Sequence, residues 1–181
     1  MIDLLIVVLP MAISAAGALL VVMTLRRIPV VYTKSLSQHI MQTKQTIAQG
    51  MVLLSVACIL LWTWSLLIDV AWFTRLTLIL TGLSYLVTGL VPYGATNRRD
   101  VIHDMAAQGG LATMFVSSAL LMYELGGVVA LVAGVSMCVQ LALLGWFIAT
   151  KPGQRRFMLL GQITYLAVFL LTIMTVGLTY A

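Results

Sequence analysis

The chain has 181 residues, of which 62% are hydrophobic and only 8% charged. A water-facing domain carries roughly a quarter charged residues, so the composition excludes a soluble domain and implies an integral membrane protein. The net charge of +5 does not point to nucleic acid. The basic residues stand in small groups at the ends of apolar runs, where lipid head groups and topology account for them.

Six apolar runs follow one another, at about 3–25, 49–69, 71–92, 103–123, 125–149 and 157–180. Each is long enough, at about 1.5 Å per residue, to cross a hydrocarbon core about 30 Å thick. The chain therefore reads as one transmembrane domain over 1–181, an all-α bundle of six spans. The first run, "MIDLLIVVLPMAISAAGALLVVMTLRR", starts with an acid at Asp3 and stays apolar to Leu25. A secretory leader has a basic start and a short apolar middle, so this run is expected to be a retained first helix. Pro10 is expected to kink it, and Pro92 to end the third span.

Nine of the ten basic residues follow the first, third and fifth spans, and only Arg75 falls on the opposite side. The positive-inside rule then makes the basic face cytoplasmic in a cell membrane, with both termini outside. Trp62, Trp64, Trp72, Tyr123 and Tyr180 cluster towards the outer face, as interfacial rings do. Cys58 and Cys138 lie within apolar runs and read as buried thiols. The fourth span carries Ala106, Gly110 and Ser117 on one stripe. The fifth carries Gly126, Ala130, Gly134 and Cys138 every four residues. Small residues let helices approach closely in lipid, so these two spans are expected to pair intimately. Thr77, Thr81, Ser84, Thr88, Gln140 and Gln162 are the few polar residues within spans, and hydrogen bonds between helices account for them. A midplane carboxylate, which ion-driven transport requires, is missing from the sequence.

One polar stretch stands out, "RRDVIHDMAAQGG" over 98–110. With Asp100 at a helix start, Asp100, His103 and Asp104 share one turn. His103 lies on the same face as Ala106, Ala107 and Gly110, so its ring is expected to point into the bundle, paired with a nearby acid, Asp100 before Asp104. On a purely structural account Asp100 caps the helix and Arg98 and Arg99 set topology. On a functional account His103 with the two acids binds a divalent metal or relays a proton. The other histidine, His39, is on the same face. With Ser37 capping a helix continuous with the second span, it lies about 15 Å beyond the membrane edge, as a surface residue. His39, His103 and Asp104 count the three protein ligands of a catalytic zinc site. Haem is disfavoured because neither histidine is within a span, and a retinal pigment because no span holds an interior lysine.

The segment "GLVPYG…VIHDMAAQGG" joins a helix-ending proline through a short polar connection to an H-x-x-A-A helix start. It resembles the six-helix membrane proteins grouped under domain of unknown function 998, near the FRAG/DRAM group. Pro92, His103 and Ala107 match that pattern, and Ser35 and Ser37 in "YTKSLSQH" match it more loosely. Tyr93 and Gly94 stand where the family often has an acid. The resemblance implies a six-helix fold and no particular activity. The leading expectation is a non-enzymatic accessory, lipid-interacting or assembly component. Its partners would be the bilayer and another membrane protein or a second copy of the chain. The alternative is a small metal-dependent membrane hydrolase or redox protein using His103 with Asp100, Asp104 and His39.

Overall fold

The computed structural model describes residues 2–32, 34–40, 42–91, 97–150 and 157–180. These form α1 (Ile2–Arg27), α2 (Leu36–Ile40), α3 (Lys44–Leu67), α4 (Trp72–Leu90), α5 (Asn97–Leu125), α6 (Gly127–Ala149) and α7 (Met158–Thr179), with no strand among them. Six of the seven are long and apolar enough to cross a membrane, α2 being the exception. In lipid an apolar run has no water to satisfy its main chain, so the helix is the form open to it. The outward faces agree: Leu4, Val52, Leu66, Leu131 and Ile148 are all well over half exposed, a pattern stable against acyl chains and not against water. The protein is a multi-pass membrane protein.

Two helices start earlier than expected from hydropathy. α3 begins at Lys44 rather than near 49, and α5 at Asn97 rather than near 103. Their first turns are polar and lie outside the apolar runs that mark the spans. Between α1 and α3 the chain does not continue as one helix, because two capping boxes interrupt it. Ser35 Oγ accepts from Gln38 N–H at 3.1 Å while Gln38 Oε1 accepts from Ser35 N–H at 2.9 Å. Thr43 and Thr46 make the same reciprocal pair at the start of α3. Each box satisfies main-chain donors that a continuous helix would have used itself. The cap of α2 is thus Ser35, not Ser37.

The long helices are arranged as a ring. α1 packs on α3, α3 on α4, α4 on α5, α5 on α6, α6 on α7, and α7 on α1. A further contact between α5 and α7 crosses it. This divides the bundle into a five-helix ring of α1, α3, α4, α5 and α7, and a three-helix wedge of α5, α6 and α7. The starts of α1, α4 and α6 share one end with the C-terminus of α7. The other end carries Arg26, Arg27, Lys34, Lys44, Arg98 and Arg99 among the described residues, and is the basic end.

The small-residue stripes pack differently from expectation. Gly110 and Ser117 of α5 face α4: a methyl at Gly110 would lie 3.3 Å from Ser84 Cβ, and Ser117 Oγ donates to Thr77 Oγ1 at 2.9 Å. Thr81 Oγ1 donates to Thr113 Oγ1 at 2.9 Å across the same seam. On α6 the buried residues are Val129, Ala133, Ser136, Gln140 and Phe147, beside the expected stripe rather than on it. Cys138 is exposed and Gly134 only half-buried. Gln140 donates to Ser136 Oγ on its own helix at 3.3 Å, not across an interface.

Candidate functional site

The five-helix ring does not close on itself. It surrounds a cavity of about 130 Å³ lined from α1, α3, α4, α5 and α7, with α2 across its basic end. The wall is apolar over most of its surface: Ile13, Leu20, Leu54, Leu61, Leu111 and Phe169 are typical. Small residues explain the space. Ala16 and Gly17 on α1, Ala57 on α3 and Ala107 on α5 are small members of its wall, while the glycine at 82 on α4 makes room for the Trp62 indole rather than for the chamber. The chamber is partly open rather than sealed, and its volume is comparable to that of apolar cavities, about 150 Å³, that accept benzene-sized molecules. Cys58 is buried in the same wall.

Polar atoms gather at the α2 end. Ser37 and Thr88 line both this chamber and a second pocket of about 20 Å³, which also touches Ile40, Gly50, Leu54, Gly89 and His103. That smaller space is about the size of one water molecule. Gln162, from the first turns of α7, lines the main chamber and accepts from the Leu36 N–H at 2.8 Å.

The two histidines flank this end in different ways. His39 is fully buried rather than a surface residue. Its Nδ1 donates to Ser35 O at 2.8 Å and its Nε2 accepts from Val31 N–H at 3.1 Å. Both ring nitrogens are thereby committed to the main chain. The imidazole fastens the α1–α2 connection and offers no lone pair to a metal in this arrangement. Thr46 Oγ1 adds a bond to Ile40 O at 2.6 Å, and Leu159 N–H one to Tyr32 O at 3.1 Å. A methyl at Gly50 would fall 2.6 Å from Ile40 Cγ2, so glycine there lets α2 settle against α3.

His103 points into the bundle as its stripe implies, with 2% of its surface exposed. Its Nδ1 donates to the Val91 carbonyl at 2.8 Å. At that nitrogen a main-chain carbonyl at the end of α4 stands where an acid was expected. Asp100, in the first turn of α5, is half-buried and Asp104 is exposed. Asp104 thus faces away from the buried imidazole one residue before it, as the roughly 100° step of a helix requires. Among the described residues no three His, Cys, Asp or Glu side chains are grouped to hold a metal ion. Pro92, Tyr93 and Gly94 fall outside the described residues.

Nothing in the sequence singled out the chamber. Its lining is drawn from alanines, glycines and leucines on five helices, each ordinary for a membrane span. Only Gln162 and the hydroxyls of helix α4 were visible as polar exceptions, and no pattern assigned them to one space. No family model, curated protein or solved structure matches the chain.

Proposed function

We propose that this protein is a non-enzymatic, lipid-interacting membrane protein that holds a slim apolar molecule inside its five-helix ring. The observation that carries this reading is the chamber, about 130 Å³ of mainly apolar space lined by five of the long helices. Apolar cavities are costly to keep empty, at roughly 24 cal/mol per Å³ in soluble cores. A bound apolar group recovers that loss through contact with the wall. The wall holds hydroxyls, an amide and a thiol but no carboxylate among the described residues, which suits retention better than acid–base chemistry.

On the same proposal the basic end faces the cytoplasm and both termini lie outside the cell membrane, following the charge asymmetry. Membership of the domain of unknown function 998 group is a proposal too, resting on the match of Pro92, His103 and Ala107 to that group's pattern.

Cys58 supplies the test. In a Cys138→Ser background, a small apolar maleimide reports access to the chamber. Octane added to the membrane should slow labelling of Cys58, and Ala57→Phe should abolish that protection by filling the space. Labelling unaffected by octane would overturn the reading.

A further inference from the structure

Resting on the chamber reading, we infer that His39 is a proton-operated latch: a second proton on its ring releases α2 and opens the chamber at the basic end. α2 supplies Leu36, Ser37 and Ile40 to the chamber wall. Among the described residues it packs on α1, α3 and α7 and not on α5, so it is fastened from one side of the ring. Two of its fastenings, from Leu36 N–H to Gln162 Oε1 at 2.8 Å and from Thr46 Oγ1 to Ile40 O at 2.6 Å, involve no titrating group. Another is the imidazole, which ties Ser35, at the cap of α2, back to Val31 in the connection from α1.

The two bonds of the ring fix its proton count. Ser35 O can only accept, so Nδ1, 2.8 Å away, carries the proton. Val31 N–H can only donate, so Nε2, 3.1 Å away, is the bare nitrogen. A proton added at Nε2 sets N–H against N–H, and the Val31 bond is lost. The same proton charges a side chain that has no exposed surface, and a buried charge without a partner is costly. The elements around it supply no counter-charge. α1 ends in Arg26 and Arg27, the connection carries Tyr32 and Lys34, and α3 starts at Lys44. The first turns of α7, from Met158, hold no titratable group before Tyr165, whose hydroxyl donates to Leu111 O. Across the small pocket lined by Ser37 and Ile40, α5 contributes His103. No acid occurs between Asp3 and Asp69, and Asp100 and Asp104 are on α5, against which α2 does not pack. The latched form thus holds one proton fewer than the released form can, so its stability falls as pH falls. Release sets in below about 6.5, where a free imidazole takes its second proton.

The experiment uses the full chain in nanodiscs, with nitroxides on Lys34→Cys and Gln108→Cys in a Cys58→Ser, Cys138→Ser background. Pulsed electron paramagnetic resonance reads the distance between them at about pH 8 and about pH 5, on either side of the free imidazole value of about 6.5. With His39 in place the distribution should be narrow at the higher pH and broader and longer at the lower. His39→Ala should be broad at both, and His39→Gln, whose amide takes no proton, should be the same at both. A distribution that ignores pH with His39 in place, or a pH response that survives in His39→Gln, would overturn the latch, the second result pointing to His103. Access to the chamber is read at one pH, about 8, with Cys58 restored and Cys138→Ser. There His39→Ala should let an impermeant maleimide label Cys58 from the basic end about tenfold faster, the worth of one hydrogen bond. Equal labelling with and without His39 would overturn the opening of the chamber by α2. The chamber reading itself fails separately, if octane gives Cys58 no protection in the protein with His39 intact.

Discussion

The indole N–H of Trp64, on α3, donates to the carbonyl oxygen of Ile6, on α1, at 3.1 Å. In a regular helix that carbonyl would accept from the main-chain N–H of residue 10, but residue 10 is proline and has none. The proline of one helix thus frees an acceptor that a neighbouring helix uses. Trp64 is fully buried as a result, and is a core residue rather than the interfacial ring its position in the span suggested. The same spot is where α7 comes closest, since a methyl at Gly177 would lie 2.7 Å from that Ile6 oxygen and 3.0 Å from Pro10 Cγ.

Trp64→Phe should therefore destabilise the protein by about 1 kcal/mol from the lost hydrogen bond, the scale found for polar contacts between membrane helices. Pro10→Ala restores a helical donor to Ile6 O. The two substitutions should be non-additive, with Trp64→Phe costing less in the Pro10→Ala background. A double-mutant cycle by denaturant unfolding in mixed micelles measures the coupling. Additive effects would mean that the indole and the proline act independently.

Gly177→Ala should cost about 1–3 kcal/mol, because the added methyl meets main-chain oxygen and a rigid ring. Gly134→Ala should cost much less: its methyl meets only the flexible end of Met122, at 3.2 Å from the sulfur. Thermal unfolding of the two variants side by side tests the ranking. A larger loss at Gly134 would restore the small-residue stripe of α6 as the main packing seam.

The turn between α3 and α4 is closed by two charged side chains. Arg75 donates from Nε to Ser65 O at 3.0 Å and from a terminal nitrogen to Ile68 O at 3.2 Å, at the negative end of the α3 dipole. Glu124, reaching over from α5, accepts from Ala71 N–H at 2.9 Å and from the Thr74 hydroxyl, at the positive end of α4. Ala71 has no side chain with which to cap its own helix. Glu124→Ala should cost about 1 kcal/mol, and Glu124→Gln less, since the amide keeps one acceptor. Hydrogen exchange at the first turn of α4 should rise in the alanine variant and much less in the glutamine one. Equal protection in all three would show that the cap is dispensable.

Orientation has its own test. Single cysteines at Asn97 and Val128, in a background lacking Cys58 and Cys138, should label from opposite sides of sealed cells. Position 128 should react with an impermeant reagent from outside, and position 97 only after permeabilisation. The reverse pattern would place the basic end outside.

Much of this protein was legible before any coordinates. Six helices, their approximate limits and the gathering of basic residues at one end all follow from apolar runs of about twenty residues punctuated by charge. The reason is that hydrocarbon leaves a lone chain segment no alternative to the helix. The inward aim of His103 was legible too, since alanines and glycines share its face. What faces inward elsewhere was not. In water, burial can be read from a helix's apolar side. In lipid the outward side is equally apolar, so periodicity carries no sign for Trp64, Cys138 or the α6 stripe. The burial of His39 depended on two capping boxes breaking a helix, and on main-chain groups of Val31 and Ser35 reaching both ring nitrogens. The chamber depended on how α1, α3, α4, α5 and α7 space themselves around a common centre. Its walls are residues whose small size means nothing alone, and becomes a cavity only where the tertiary fold sets them opposite one another.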